Sequence, residues 1–101
     1  MDKRFEQFKL LKDNWDGDGG LPIEKRAIEI GASIVSRSKI KPQIYASPGG
    51  GVDLEWGTLF LVIYEDEILF PLLDRDNYKF RDASNEMIVE YICEIIHTYV
   101  S

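Results

Sequence analysis

Gly50-Gly51-Val52-Asp53-Leu54-Glu55-Trp56-Gly57-Thr58-Leu59-Phe60-Leu61-Val62-Ile63-Tyr64 reads as two strands joined by a tight turn. Val52, Leu54 and Trp56 alternate with Asp53 and Glu55, the period-two pattern of a strand with one buried face. Gly57 permits the reversal. The strand after it is apolar on both faces, with Leu59, Leu61 and Ile63 pointing one way and Phe60, Val62 and Tyr64 the other. A connection this short joins antiparallel strands.

Downstream, Glu65-Asp66 marks another reversal, into a strand over 67–73 whose Pro71 argues for an edge or a bulge. Asp74-Arg75-Asp76-Asn77 turns again, and Tyr78-Lys79-Phe80 forms a short last strand. Ser84 is a good helix N-cap and Glu86 suits the first turn, so a helix is expected from there to about Tyr99. Upstream, Ile44 and Ala46 alternate with Tyr45, and Pro48-Gly49-Gly50-Gly51 signals a turn. Ile23, Ala27, Ile30 and Ile34 recur at helical spacing, with Pro22 suited to the first turn and the helix ending near Ser38. Phe5, Phe8 and Leu11 mark a short amphipathic helix over 2–12. The expected fold is one α+β domain over 1–101. It has two N-terminal helices, an antiparallel sheet of three to five strands and a C-terminal helix packed on the sheet.

Length and composition suit a single globular core of 101 residues. One cysteine, Cys93, forms no internal disulfide, and the N-terminus has mixed charge with no apolar run, so a cytoplasmic protein is expected. No stretch approaches the ~18 apolar residues of a membrane span. A net charge of −6 disfavours nucleic acid and anionic membranes and favours a basic partner. The basic cluster Arg37, Lys39 and Lys41 is the one footing for nucleic acid, and it suits the C-terminus of the second helix.

Asn14-Trp15-Asp16-Gly17-x-Gly19, followed by Pro22, together with the Gly50-Gly51-Val52-Asp53-Leu54-Glu55-Trp56 strand, is similar to the motif pair of a widespread family of small bacterial and phage-borne proteins. The resemblance implies shared architecture over about the first sixty residues and no particular reaction. Family members tend to carry an aromatic where this chain has Asp18, so the resemblance assigns Asp18 no role.

Four chemistries are conceivable on these residues. Asn14, Asp16, Asp18 and Gly19 match the start of a calcium loop, but Lys25 stands where the bidentate glutamate belongs. Turn capping with Trp15 plugging the core is the competing reading. A phosphate cradle at Gly17-x-Gly19-Gly20 is opposed by Asp13, Asp16 and Asp18. Cys93 and His97 are four apart on one helix, yet Cys93 falls on an apolar flank and His97 on the polar face. Asp53 and Glu55 share a sheet face about 7 Å apart at Cα, and acid–base work would need one carboxyl raised. No catalytic residue, metal or cofactor is assigned.

Two surfaces stand out. Along the third helix, Met87 to Val100, the apolar residues cover roughly two thirds of the helical wheel. Ile88, Tyr91, Ile92, Ile95 and Tyr99 can face the sheet. Val89, Cys93, Ile96 and Val100 then need a second cover, either the first two helices or a partner. The polar strip left over is acidic, with Glu86, Glu90 and Glu94 at i, i+4, i+8. On the sheet, if all helices lie on one face, Tyr45, Phe60, Val62 and Tyr64 with Asp53 and Glu55 form an exposed interaction face.

The expected function is a non-enzymatic protein-binding module, an acidic inhibitor, antitoxin or immunity-type protein. Its partner would be a protein with a basic surface, or a second copy through the C-terminal helix or sheet face. The alternative is a ligand- or metal-binding regulator using Asn14–Gly20.

Overall fold

The computed structural model describes residues 2–57, 59–71, 77–80 and 82–100. Its elements run α1 (Lys3–Phe8), α2 (Lys25–Arg37), β1 (Gln43–Ala46), β2 (Val52–Trp56), β3 (Leu59–Ile63), β4 (Glu67–Leu69), β5 (Tyr78–Lys79) and α3 (Asn85–Val100). The strands form one five-stranded antiparallel meander in chain order. Each strand thus lies beside the one before it in the chain.

One row across the sheet is Ile44, Leu54 and Leu61, paired in register; Val52 opposes Ile63, and Ile63 opposes Ile68. These side chains are almost wholly buried, at 3% exposure or less. Helices α2 and α3 lie side by side over them. Arg26 and Glu29 of α2 bond Asn85 at the start of α3, while Arg37 at the end of α2 acts on Cys93. The two helices therefore run in the same direction. Phe5 of α1 packs onto Gly31 of α2, where an added Cβ would meet both the Phe5 ring and Val52 at 3.2 Å. All three helices thus cover the same sheet face.

The helix ends follow local chemistry. An Asp at the N-cap satisfies a backbone donor that the first turn leaves free. Asp2 does so for α1, accepting the Arg4 N–H at 2.8 Å. Bonds from Leu10 N to Gln7 O and from Leu11 N to Phe8 O then tighten the chain, so α1 is six residues, shorter than the expected 2–12. Pro22 lies outside α2, which begins at Lys25 after Glu24. The reason is tertiary: Leu21 N and Glu24 N donate to Pro48 O and Gly50 O, which holds this segment extended against the β1–β2 turn. The Glu24 side chain reaches away and accepts the Glu65 N–H at 3.0 Å, so it caps nothing. Ser84 caps α3 as expected, its Oγ accepting the Met87 N–H.

The fourth strand ends at Leu69, before Pro71, and β5 covers its far edge. The expected strand end at Leu72 and Leu73, most of the Asp74-Arg75-Asp76-Asn77 turn, and Thr58 lie outside the described residues. No described helix is long and apolar enough to cross a membrane.

Much of the wide apolar arc of α3 finds its cover inside the molecule, although Met87 stays 62% exposed and Cys93 and Val100 are half-buried. Ile88, Ile92 and Ile95 are buried, and Val89 and Ile96 are buried on the flank that α2 packs against. Tyr91 and Tyr99 stay 39% and 42% exposed, so they rim the core where the sequence placed them facing the sheet. Tyr91 stacks on Tyr78 of β5 with ring centroids 4.4 Å apart.

Candidate functional site: the open face of the sheet

Because the helices share one face, the other face carries the alternate residues of every strand. Register places Tyr45, Asp53, Val62 and Leu69 in one row across four strands, and Gln43, Glu55 and Phe60 in the next. Neighbours along a row are about 4.5–5.5 Å apart, close enough for each side chain to touch the next. Tyr45 is 48% exposed; Phe60, Leu69, Asp53 and Glu55 are half-buried. Val62 is only 7% exposed, so it is the floor of this face and not part of the exposed rim that its strand position suggested. Leu69 joins the face without having been expected there. Its signal is present in the sequence, since Ile68 and Leu69 are apolar on both faces of β4, as β3 is.

Asp53 is the unusual member. Its Oδ1 is buried and accepts no hydrogen bond. Burial first, and then the nearby Glu55 charge, push its carboxyl up to about 6. Its folded pKa therefore lies above the ordinary value of 3.8, and the folded state binds more protons between those two values. Stability should fall as pH rises through that window. Asp53→Asn removes the ionisation and is expected to raise stability at pH 7 by about 1–2 kcal/mol, discounted for partial solvation. The gain should vanish near pH 4. Urea unfolding at the two pH values checks this, and an equal effect at both would show that the charge is not responsible.

Tyr64 belongs to a different structure. An added Cβ at Gly49 would lie 2.9 Å from its hydroxyl, and one at Gly51 would lie 2.9 Å from its ring. Tyr64 thus roofs the β1–β2 turn, its hydroxyl 3.5 Å from Ser47 Oγ.

The two sequence motifs meet at that turn. In the Asn14–Gly20 loop, Asn14 Oδ1 accepts the Gly19 N–H at 2.6 Å, and Asp16 Oδ1 accepts from Asp18 and Gly20 at 2.9 and 2.7 Å. Those bonds hold the Asp16 carboxyl below the usual carboxylate range. Asn14, Gly17 and Gly19 all adopt positive φ, at 62°, 80° and 84°. Trp15 Nε1 donates to Leu21 O at 2.7 Å, and Trp56 Nε1 to Ile40 O at 2.8 Å. The loop then joins the second motif through the Leu21 and Glu24 bonds to Pro48 and Gly50. Leu54 and Trp56 enter the core, and Glu55 alone among the second motif's acidic and aromatic residues shares the open face with Asp53.

The acidic strip of α3 is as expected, with Glu86, Glu90 and Glu94 all exposed. Of the basic cluster, Lys41 Nζ donates to Val35 O at 2.7 Å. It so caps the end of α2, the role expected of a cation there. Cys93 is half-buried, with burial pushing its thiol up against a smaller opposing pull from Arg37. Among the described residues, no three His, Cys, Asp or Glu side chains form a group that could hold a metal ion.

Comparison with protein-family profiles, curated proteins and solved structures finds no match to this chain.

Proposed function

We propose that this protein is a non-enzymatic binding module that docks a basic protein on its open sheet face. The observation that carries the reading is the composition of that face. Tyr45, Phe60 and Leu69 surround the Asp53–Glu55 carboxylates on a side of the sheet that no described helix covers. Half-exposed aromatics around a central charge suit a hot spot, where a partner's Lys or Arg meets the carboxylates as water is excluded. An unpaired Asp53 costs the free protein stability, which accords with a residue kept for binding. Size, net charge and the motif resemblance favour an inhibitor, antitoxin or immunity-type protein of bacterial or phage origin, acting in the cytoplasm.

One observation favours a second reading. A raised Asp53 beside Glu55 is the arrangement of an acid–base pair. Against it, an acid–base pair works in a concave site that shields it from bulk water, and Asp53 and Glu55 lie on the open face of the sheet. The regulator reading of the Asn14–Gly20 loop is weakened because Asn14 Oδ1 and Asp16 Oδ1 are already engaged by backbone donors and Lys25 opens α2.

The test is capture from native lysate at low salt with the whole chain as bait. A stoichiometric basic partner is expected, retained at least tenfold less by Tyr45→Ala and by Asp53→Asn. The second variant is expected to fold more stably, so its loss of partner would not be unfolding. Retention unchanged in both variants would remove the sheet face as the docking surface.

A further inference from the structure

The C-terminal ends of α2 and α3 enclose a cleft of about 250 Å³ on the helix side of the molecule. Ile40, Cys93, Ile96 and Val100 give it an apolar lining, and Arg37, Lys39 and His97 stand around them. Among the described residues, none of these three basic side chains has an ion pair or hydrogen-bond partner. Ile40 is 54% exposed, although its carbonyl is held by the indole N–H of Trp56. In a chain of net charge −6, two unpaired cations, Arg37 and Lys39, on an apolar hollow are a local reversal of sign.

We infer that this cleft binds a small monocarboxylate with an apolar body, its carboxylate on Arg37 and Lys39 and its hydrocarbon against Ile40, Ile96 and Val100. Four features select that class. The volume falls just below the ~300–1,000 Å³ of pockets for drug-sized ligands, so the occupant is small. A guanidinium matches a carboxylate with two parallel hydrogen bonds. Both helices end here, and their carbonyl ends carry partial negative charge, which penalises a dianion such as phosphate more than a singly charged acid. The apolar lining gives no anion a reason to enter without a hydrocarbon part. The site is independent of the open sheet face, on the opposite side of the sheet.

Titration of the ¹⁵N-labelled whole chain with octanoate tests it. Saturable shifts confined to residues 37–40 and 93–100 are expected, together with slower alkylation of Cys93 as the ligand covers it. Arg37→Gln with Lys39→Gln should weaken binding about tenfold or more while circular dichroism stays unchanged. Inorganic phosphate and 1-octanol should each bind at least tenfold more weakly than octanoate. The inference is overturned if octanoate gives no saturable shifts there, if phosphate or octanol matches it, or if the double variant binds as well as the native chain.

Discussion

Arg26→Met is expected to lower the melting temperature by about 10–20 °C, corresponding to a loss of about 2–3 kcal/mol in a domain of this size. Arg26 is the joint between α2, the β3–β4 turn and the start of α3. Its Nε donates to Asn85 Oδ1 at 2.8 Å, Nη1 to Glu65 O at 3.2 Å and Nη2 to Ala83 O. Its guanidinium carbon also sits 5.0 Å from the Phe80 ring centre, within reach of a cation–π attraction. Hydrogen bonds from a charged donor contribute about 1.5–3 kcal/mol each when buried, and less here because the group is partly exposed. Methionine keeps much of the hydrocarbon packing, so the loss reports the bonds. Arg26→Lys should recover less than half of it, because an ammonium lacks the planar fork that reaches Glu65 O and the 83–85 segment at once. Thermal denaturation followed by circular dichroism checks both variants. A Met variant melting within a few degrees of the native chain would show that α3 is held by its apolar face alone.

Gly51→Ala is expected to cost about 3 kcal/mol, read as the shift of the urea midpoint. The new Cβ would lie 2.7 Å from the Ile63 carbonyl oxygen and 2.9 Å from the Tyr64 ring. A side chain can swing aside, but the carbonyl belongs to β3, whose Ile63 opposes Val52. Relief therefore requires β2 and β3 to separate at the end of their ladder. Removing the ring as well, in Gly51→Ala with Tyr64→Ala, should recover none of the loss. Recovery would mean that the ring and not the backbone sets the limit. Gly17 offers the contrast. It has a φ of +80° and nothing within 4 Å of an added Cβ. Gly17→Ala therefore meets only the left-handed backbone penalty, about 1–2 kcal/mol.

In this chain the two glycine-rich segments meet at one place. The Asn14–Gly20 loop and the Gly50-Gly51 turn are two halves of one clasp, joined by Leu21 N to Pro48 O and Glu24 N to Gly50 O. Gly50 has a φ of +93°, and its added Cβ would approach Pro22 O at 3.1 Å, so the first motif presses on the second. Among motif residues only Asp53 and Glu55 face the open side, and they are where function is proposed.

Alternation along Val52–Trp56 and Leu59–Ile63 determined, with no knowledge of contacts, that these are neighbouring antiparallel strands and which side chains share a face. The same reasoning set α3 and its Ser84 cap, because capping and periodicity are local. It could not set the start of α2, since the bonds that hold residues 21–24 extended come from a turn more than twenty residues away. Nor could it choose between two covers for α3 or between one covered sheet face and two. Periodicity says which residues lie together, whereas the choice of which face is buried depends on how distant elements stack. That stacking left Tyr45 and Phe60 uncovered, sank Val62 beneath them, and brought Arg37 to the same cleft as Cys93.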